Sequence, residues 1–433
     1  MMWSRKALVR QSVQRPTTFR PRFESLEDRV TPSVDVTSTL LSGAVADVPV
    51  ATTSGQIQME APPVAIPIVH GASGLGWGSL YTGVTIKGQA LDASGGRLIQ
   101  VGYAQDPVSS DIDLFVGSTN LVDGSGQGTL FNIPGTNLKG AGVDVDSTGI
   151  IYTAGTQGAQ GFTMRVENDI QTVDWAATAG LNLTGAKLDA PGTSLYLSGA
   201  DAGTHATDLL VVKLNDLANP MGPHQVYYDI RSFTLGPSKL NGITVDANGR
   251  ADVVGSIDTG TPQSPFYNPL MYQVEADGSN NGGWYFIGQG DMNGVALSPD
   301  GTWIAVGNIA GANKDVITAK LVNHLQGDPV GDFPWGGGWV FDFGADASAN
   351  AVAIDNNGDY YYAGSLANAP DPTNMLYIKN SGVDGFTQLD GFTVVFGPGQ
   401  TGVVYAITLD GMGNAYIAGT LDSDGVIVQV TGI

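Results

Sequence analysis

Cysteine is absent from the 433-residue chain, which excludes disulfide bonds, thiolate metal sites and cysteine nucleophiles. Charged residues make up only 14% of the sequence, and this scarcity argues against long solvated helices. No run of about 18 apolar residues occurs, so we expect no helix that spans a membrane. Histidine occurs only four times, with no two residues at the spacing of metal ligands, so the sequence offers no histidine-based metal site.

The net charge of −22 is distributed unevenly along the chain. Residues 1–33 hold seven of the 19 basic residues and three of the 41 acidic residues. The remainder therefore carries 12 bases and 38 acids and is strongly acidic. Because such a body repels a phosphate backbone, we expect no nucleic-acid partner.

The basic N-terminal segment, residues 1–33, lacks the apolar core of a secretory signal peptide. Its string RPRFESLEDR, residues 20–29, is followed by Thr31-Pro32-Ser33. This pattern resembles the N-terminal motif of predicted extracellular proteins of planctomycetes, and the resemblance implies export to the cell surface or beyond. Residues 34–71 are rich in Pro, Thr and Ser and predict a disordered linker, which leaves residues 72–433 as the body.

Glycine is abundant, with 61 residues, and many of them belong to a turn signature that recurs seven times at intervals of 43 to 57 residues. The copies begin at Asp92, Asp146, Asp189, Asp246, Ser298, Asp355 and Asp410. Three residues later stands a glycine that we expect to adopt the left-handed conformation of a hairpin turn. A Gly or Ala four residues earlier predicts strands that are crowded around an axis. A further glycine, nine or ten residues after the first position, is expected to end the second strand.

Each unit continues with a third strand, and six of the seven continue with a fourth. The last unit lacks its fourth strand, and the segment GLGWGSLY at residues 74–81 has the sequence of the missing one. We therefore predict an all-β fold, a single seven-bladed β-propeller with four-stranded blades, closed by an N-terminal strand that completes the last blade.

The best copies of the repeat are IDNNGDYYYAG, which begins at residue 354, and LDGMGNAYIAG, which begins at residue 409. They resemble the SBBP-type repeat of bacterial seven-bladed β-propellers. The resemblance extends over about 360 residues because the repeat recurs through the whole body. It implies the propeller fold and an exported location, and it implies no reaction.

Several charged residues depart from the repeat pattern and are candidates for a site. They are Asp111, Asp113, Asp144, Arg165 and Arg231. Asp144 and Lys187 each precede a turn aspartate by two residues in consecutive units, so we predict that they form an ion pair near the channel. Trp335 is the aromatic residue that the repeat constrains least, and it is a candidate for an exposed ligand contact.

These features favour a noncatalytic, exported binding or structural module whose partner is a protein or a glycan at the cell surface, and we expect a monomer. The alternative is a propeller enzyme, a lyase or hydrolase of a polysaccharide or lactone, with its site at one mouth of the channel. No cofactor is predicted. Calcium stays open at residues 355–359 and 422–425, which resemble fragments of oxygen-ligand loops but lack the glycine and glutamate of a complete loop.

Overall fold

A computed structural model places 30 strands among the residues that it describes. Those residues are 52–58, 68–69, 74–106, 110–132, 136–167, 170–179, 181–201, 208–217, 224–232, 238–260, 264–278, 280–285, 288–311, 313–321, 339–343, 345–367, 374–383, 388–394 and 400–431. Within them, no helix has the length and apolarity needed to cross a membrane.

The strands are numbered in chain order. They are β1 (Thr52–Gln58), β2 (Ile68–Val69), β3 (Gly74–Tyr81), β4 (Val84–Asp92), β5 (Arg97–Gln105), β6 (Ile112–Asn120), β7 (Gly126–Asn132), β8 (Leu138–Val145), β9 (Ile151–Gln157), β10 (Gln160–Glu167), β11 (Ile170–Ala179), β12 (Leu181–Leu188), β13 (Ser194–Asp201), β14 (Asp208–Asn215), β15 (His224–Ser232), β16 (Lys239–Val245), β17 (Ala251–Asp258), β18 (Tyr267–Val274), β19 (Asn280–Tyr285), β20 (Gly290–Leu297), β21 (Trp303–Ala310), β22 (Lys314–Leu321), β23 (Trp339–Phe341), β24 (Ala347–Ile354), β25 (Tyr360–Leu366), β26 (Asn374–Asn380), β27 (Gln388–Val394), β28 (Gly402–Leu409), β29 (Ala415–Leu421) and β30 (Asp424–Thr431).

The strands form seven antiparallel sheets, which are the blades of a propeller. Blades 1 to 6 start at β4, β8, β12, β16, β20 and β24, and each continues outward through the next three strands. Blade 7 consists of β28, β29 and β30 with β3 at its outer edge. The all-β seven-bladed propeller and its closure by an N-terminal strand are thus confirmed.

Two further strands come from the segment that the sequence predicts to be a linker, residues 34–71. Strand β1 pairs with β7 at the outer edge of blade 1, and β2 pairs with β27 at the outer edge of blade 6. Part of this segment therefore covers sheet edges, which would otherwise expose unpaired backbone groups. The other residues of the segment lie outside the described ranges.

Among the described residues, buried apolar side chains form seven clusters, one between each pair of neighbouring blades. The cluster between blades 7 and 1 contains Ile86 and Phe115 of blade 1 and Tyr416 and Ile427 of blade 7. Because blades pack on both sides, the second strand of blade 4, β17, is buried at every position. The ring thus closes by the same apolar packing that holds the other blades together.

The turns between first and second strands all lie on one face of the propeller, here called the turn face, and the opposite side is the loop face. The predicted left-handed glycine occurs in six of these turns; Gly149, for example, has φ 87° and donates its N–H to Asp146 O. In blade 1 the prediction was wrong by one residue, since Gly96 and not Gly95 has the positive φ.

The glycine that was predicted to end the second strand lies inside that strand instead. Gly102, for example, is within β5, opposite a bulge in β4. A Cβ at Gly102 would lie 1.9 Å from Thr85 O, which no real side chain allows. The bulge brings the carbonyl of Thr85 so close that glycine is required at this position. This contact explains why the glycine recurs in every blade, whereas the end of a strand does not.

Candidate functional site

The first strands of the seven blades surround a central channel with a cavity of about 170 Å³. The small residues four positions before each turn line it. They are Gly88, Gly142, Gly185, Gly242, Gly294, Ala351 and Ala406. A Cβ at Gly142 would lie only 2.4 Å from Ala186 N in the next blade. The predicted crowding of these strands around an axis is therefore confirmed.

Every first strand has a bulge immediately before its small residue. The extra residues at the seven bulges are Lys87, Ala141, Thr184, Asn241, Asn293, Asn350 and Tyr405. All of them except Asn241 line the channel cavity. The bulge re-aims one side chain per blade, so this column decides the chemistry of the channel wall.

Three asparagines in this column link blades 4 to 7, which we call the amide arc. Asn241 Nδ2 donates to Met292 O of blade 5 at 2.9 Å. In the same way, Asn293 Nδ2 donates to Ala349 O of blade 6 at 2.9 Å. Asn350 then continues the series with a 2.8 Å bond to Val404 O of blade 7. Each amide thus bonds to the backbone carbonyl of the residue that precedes the bulge residue of the following blade.

The arc ends at a cation–π contact between blades 7 and 1. The Lys87 ammonium lies 3.5 Å from the centre of the Tyr405 ring. Gln89, which also lines the channel, has a side-chain amide whose atoms are buried without hydrogen-bond partners among the described residues. The amide bonds and the Lys87–Tyr405 contact therefore join neighbouring blades along this part of the channel wall.

Blades 2 and 3 are joined differently, by an ion pair between Asp144 and Lys187. Lys187 Nζ lies 3.0 Å from Asp144 Oδ2. The same carboxylate oxygen accepts a 2.9 Å bond from the N–H of Leu188, also in blade 3. The predicted ion pair is confirmed, and its second bond to the backbone indicates a role in holding the blades together.

The other off-pattern residues do not join this pair. Asp111 and Asp113 lie at the start of blade 1's third strand, and Asp113 is buried with Asn132 Nδ2 2.6 Å from its Oδ1. Arg165, on the third strand of blade 2, forms an ion pair with Glu167. These residues therefore lie on or next to third strands, two strands away from the channel wall, and do not join the Asp144–Lys187 pair.

For two of the candidate residues, the structure does not describe the position of the side chain. Arg231 belongs to β15, the outermost strand of blade 3, and its side chain lies outside the described part of the structure. Trp335 lies outside the described residues altogether. Arg231 is nonetheless three strands away from the channel by its place in the sheet.

The turn aspartates are occupied by structural hydrogen bonds. Asp355 Oδ1 accepts from the backbone N–H groups of Asn357 and Asp359, and its Oδ2 accepts from Tyr361 OH at 2.9 Å. Lys379 lies 3.8 Å from the same carboxylate. These contacts use both oxygens at one of the two segments that resemble calcium loops. In the described residues no group of three or more potential ligands is placed to hold a metal ion.

The bond from a tyrosine to its turn aspartate recurs in blade 7. Tyr416 OH donates to Asp410 Oδ2 at 2.9 Å. Burial, together with this bond, raises the pKa of Tyr416 to about 12. Burial alone would raise the pKa of Asp410, but hydrogen bonds from Asn414 and Met412 outweigh it and lower that pKa. The pair therefore stays as phenol and carboxylate at neutral pH.

Blade 4 has Asp252 at the place where four other blades have a tyrosine, three residues before the strand glycine. Asp252 is fully buried, and its Oδ1 accepts a 2.7 Å bond from Gln273 Nε2. Its Oδ2 has no hydrogen-bond partner among the described residues. Burial raises the pKa of Asp252 to about 8, so the group is protonated at neutral pH. Since it has no exposed surface, it does not contact a ligand in this conformation.

A polar cleft of about 470 Å³, here called the loop-face cleft, lies on the loop face across blades 4, 5 and 6. Its walls include Tyr267, Gln289, Asp291, Asn313, Lys314 and Asp346. The cleft is within the range of about 300–1,000 Å³ that small-molecule sites occupy, whereas the channel cavity is smaller. It is thus the best candidate for a ligand site.

Neither the amide arc nor the loop-face cleft was predicted from the sequence. The asparagines could have been found, because Asn241, Asn293 and Asn350 all stand five residues before their turn positions in consecutive units. The cleft had no comparable signal, since loops of unequal length from three different blades form it.

Neither a protein-family model nor a curated protein matches the chain. Among solved structures, the chain is similar to one in the mitotic checkpoint complex, with 12% identity, a TM-score of 0.55, and coverage of 86% of this chain and 97% of that one. It is also similar to a chain of Kuenenia stuttgartiensis hydrazine synthase (12% identity, TM-score 0.49, 80% and 95% coverage). A third similar structure is Sqt1 from Chaetomium thermophilum (11% identity, TM-score 0.48, 81% and 97% coverage). The first of these supports the propeller fold, which serves binding modules and enzymes alike.

Proposed function

We propose that the protein is an exported, noncatalytic binding module of the SBBP-type propeller class that acts at the cell surface as a monomer. The resemblance of residues 20–33 to an extracellular-protein motif supports the location. The dispersal of the off-pattern charges over different strand layers supports binding rather than catalysis. The acidic body is compatible with a protein or glycan partner and disfavours nucleic acid.

The observation that carries the proposal is the contrast between the channel wall and the loop-face cleft. In the channel, Asn293 and Asn350 use their amides to join blades. In the cleft, the side chains of Gln289, Asn313 and Lys314 have no hydrogen-bond or ion-pair partner among the described residues. Polar groups that the scaffold does not use are available to a ligand, so the ligand binds on the loop face.

Fractionation of cells tests the location. The full chain and a chain that lacks residues 1–33 are expressed with the same C-terminal tag in a planctomycete host. We expect the full chain outside the cytoplasm and the truncated chain inside it. Replacement of residues 26–29 by alanines should have the same effect as truncation, and the matched control replaces the bases Arg5, Lys6 and Arg10 by glutamines. An unchanged distribution after truncation would overturn the export proposal.

A binding measurement tests the other half of the proposal. Purified full chain is labelled and added to intact cells, and the bound amount is measured as a function of concentration. Saturable binding, with competition by unlabelled protein, is expected. Binding that fails to saturate or to compete would contradict a role as a surface-binding module, whatever the location of the protein.

A further inference from the structure

We propose that the loop-face cleft binds a neutral oligosaccharide, an inference that rests on the binding function proposed above. Sugars present hydroxyl groups, which both donate and accept hydrogen bonds, around rings whose C–H faces pack against aromatic side chains. A site for them therefore needs mixed polar groups and an aromatic wall. The loop-face cleft has both.

The aromatic wall is Tyr267, at the start of β18 in blade 4. Hydrogen bonds join the two described ends of the loop before it, residues 258–260 and 264–266. Asp258, only 2% exposed, accepts bonds from the N–H groups of Gly260 and Phe266 at 2.8 and 2.7 Å. Thr259 N–H in turn donates to Phe266 O at 2.9 Å. These bonds fix the backbone next to Tyr267, so little conformational entropy is lost when its ring packs against a sugar.

Asn268 connects the strand that carries Tyr267 to the segment that carries Gln289. The residue is 2% exposed, and its Oδ1 accepts a bond from Gly288 N–H at 3.1 Å, next to the cleft residue Gln289. Its Nδ2 donates to Thr259 Oγ1 at 2.6 Å. A buried amide thus spaces the aromatic wall from the segment that carries Gln289, which is the kind of support that a preformed ligand site requires.

The hydrogen-bonding groups of the cleft suit hydroxyls. Gln289 and Asn313 offer side-chain amides, each with donors and an acceptor, and Lys314 offers an ammonium. The backbone beneath them is fixed, because Gly311 N–H donates to Asn313 O and Ala310 N–H donates to Gln289 O. Planar amides on a fixed backbone can bond to two adjacent hydroxyls of one sugar ring.

The charges of the cleft favour a neutral ligand. Asp291 is paired with Lys239 at 3.0 Å. Asp346 Oδ1 accepts a 2.8 Å bond from the N–H of Lys314, whose own ammonium is also on the cleft wall. Each wall carboxylate therefore already has a partner, Asp291 in an ammonium and Asp346 in a backbone N–H. A ligand need not supply a cation to match them, and with two acidic residues beside one wall lysine an anionic ligand is disfavoured.

A glycan array with the purified full chain tests this inference, followed by titration calorimetry of the best neutral oligosaccharide. We expect binding to neutral glycans, and a loss of tenfold or more in affinity in Tyr267→Ala and in Asn313→Ala. The matched control is Tyr103→Ala, which removes a half-buried tyrosine of blade 1 and should bind like the wild type. Circular dichroism of each variant checks that the blades are folded.

Three results would overturn the inference. One is the absence of glycan binding by a protein that binds cells saturably, which would leave the binding function intact and point to a protein ligand. Another is a preference for acidic glycans over neutral ones. The third is glycan binding that neither Tyr267→Ala nor Asn313→Ala weakens, which would place the site elsewhere. Failure of both the glycan and the cell assays would instead refute the proposed function itself.

Discussion

Blades 2 and 3 differ from the amide arc of blades 4 to 7 in how their first strands are joined. In the amide arc, an asparagine from each bulge reaches a carbonyl of the next blade. Between blades 2 and 3, the bulge residue Ala141 has no polar group, and the Asp144–Lys187 ion pair joins the strands nearer the turn face. The same backbone geometry therefore accepts two chemistries, one neutral and one charged.

The spacing of the strands differs as well. A Cβ added at Gly142 would come within 2.4 Å of blade 3, whereas one added at Gly242 would be 3.1 Å from the nearest atom of blade 5. The backbones of blades 2 and 3 thus approach more closely than those of blades 4 and 5. A bridge does not by itself keep blades apart, since a Cβ at Gly294 in the amide arc would lie 2.9 Å from Ala351 Cα.

The largest expected effect comes from filling that close contact. Gly142→Ala should lower the free energy of unfolding by about 2–3 kcal/mol, because backbone atoms of blade 3 must move. Gly242→Ala, in the amide arc, should cost less than about 1 kcal/mol, as the natural Ala351 and Ala406 of this column indicate. Urea unfolding measures both, and equal losses would contradict the difference in spacing.

The next effect concerns the buried acid of blade 4, within the amide arc. Asp252 holds a proton in the folded state up to about pH 8, whereas the unfolded chain releases it near pH 4. Stability from this group is therefore lost as pH rises from about 4 to 8. Asp252→Asn, which keeps an acceptor for Gln273, should stabilise the protein by at least about 2 kcal/mol at pH 8 and by almost nothing at pH 4. Thermal unfolding across this range checks the slope, and a gain that is the same at both pH values would exclude the titration.

A smaller loss is expected when one bridge of the amide arc is removed. Asn293→Ala leaves Ala349 O without its donor and should cost about 1–2 kcal/mol. The matched control is Thr184→Ala in the same column, because the Thr184 hydroxyl bonds to Ser198 O within its own blade. Since the amide is uncharged, the loss should not change with salt. A loss no larger than that of the control would show that the bridge does not stabilise the ring.

The smallest effect is expected at the ion pair. Lys187 is 42% exposed, so solvent screens the pair and Lys187→Met should cost less than about 1 kcal/mol. Unlike the loss in Asn293→Ala, this loss should shrink further in 0.5 M salt, where exposed charges are screened within a few ångströms. Thermal midpoints at low and high salt make the comparison. A loss that is independent of salt would mean that the Lys187 stem contributes by packing.

The blade count and the closing strand could be predicted because each turn imposes strict local demands. Asp146 and Gly149 are needed for one hairpin, and an aspartate and glycine at the same spacing recur in five of the other six units, with Ser298 in place of the aspartate in blade 5. The ion pair was also predictable, because both residues stand at the same place in adjacent repeats. Each copy of the repeat contains the residues that its own turn requires, so these features can be predicted without knowing which distant residues are in contact.

The bulges, the amide arc and the cleft depend on relations that no single repeat contains. Asn293 bonds to a carbonyl 56 residues further along the chain, and its column holds a lysine, an alanine or a tyrosine in other blades. Asp252 is unusual only when compared with the tyrosines of the other blades. The cleft arises where three blades contribute loops of unequal length, so its shape follows from the assembled ring.

The pairing of β3 with β30 makes blade 7 the last blade that a growing chain can complete. A ribosome makes β3 before any first strand, yet its partner comes at residues 424–431, after all the other strands. Until then β3 and β29 each keep an open edge that can pair with another chain. The ring can therefore close only after synthesis has passed β30, and a chain cut short before β30 would expose two strand edges and become a substrate for aggregation or degradation.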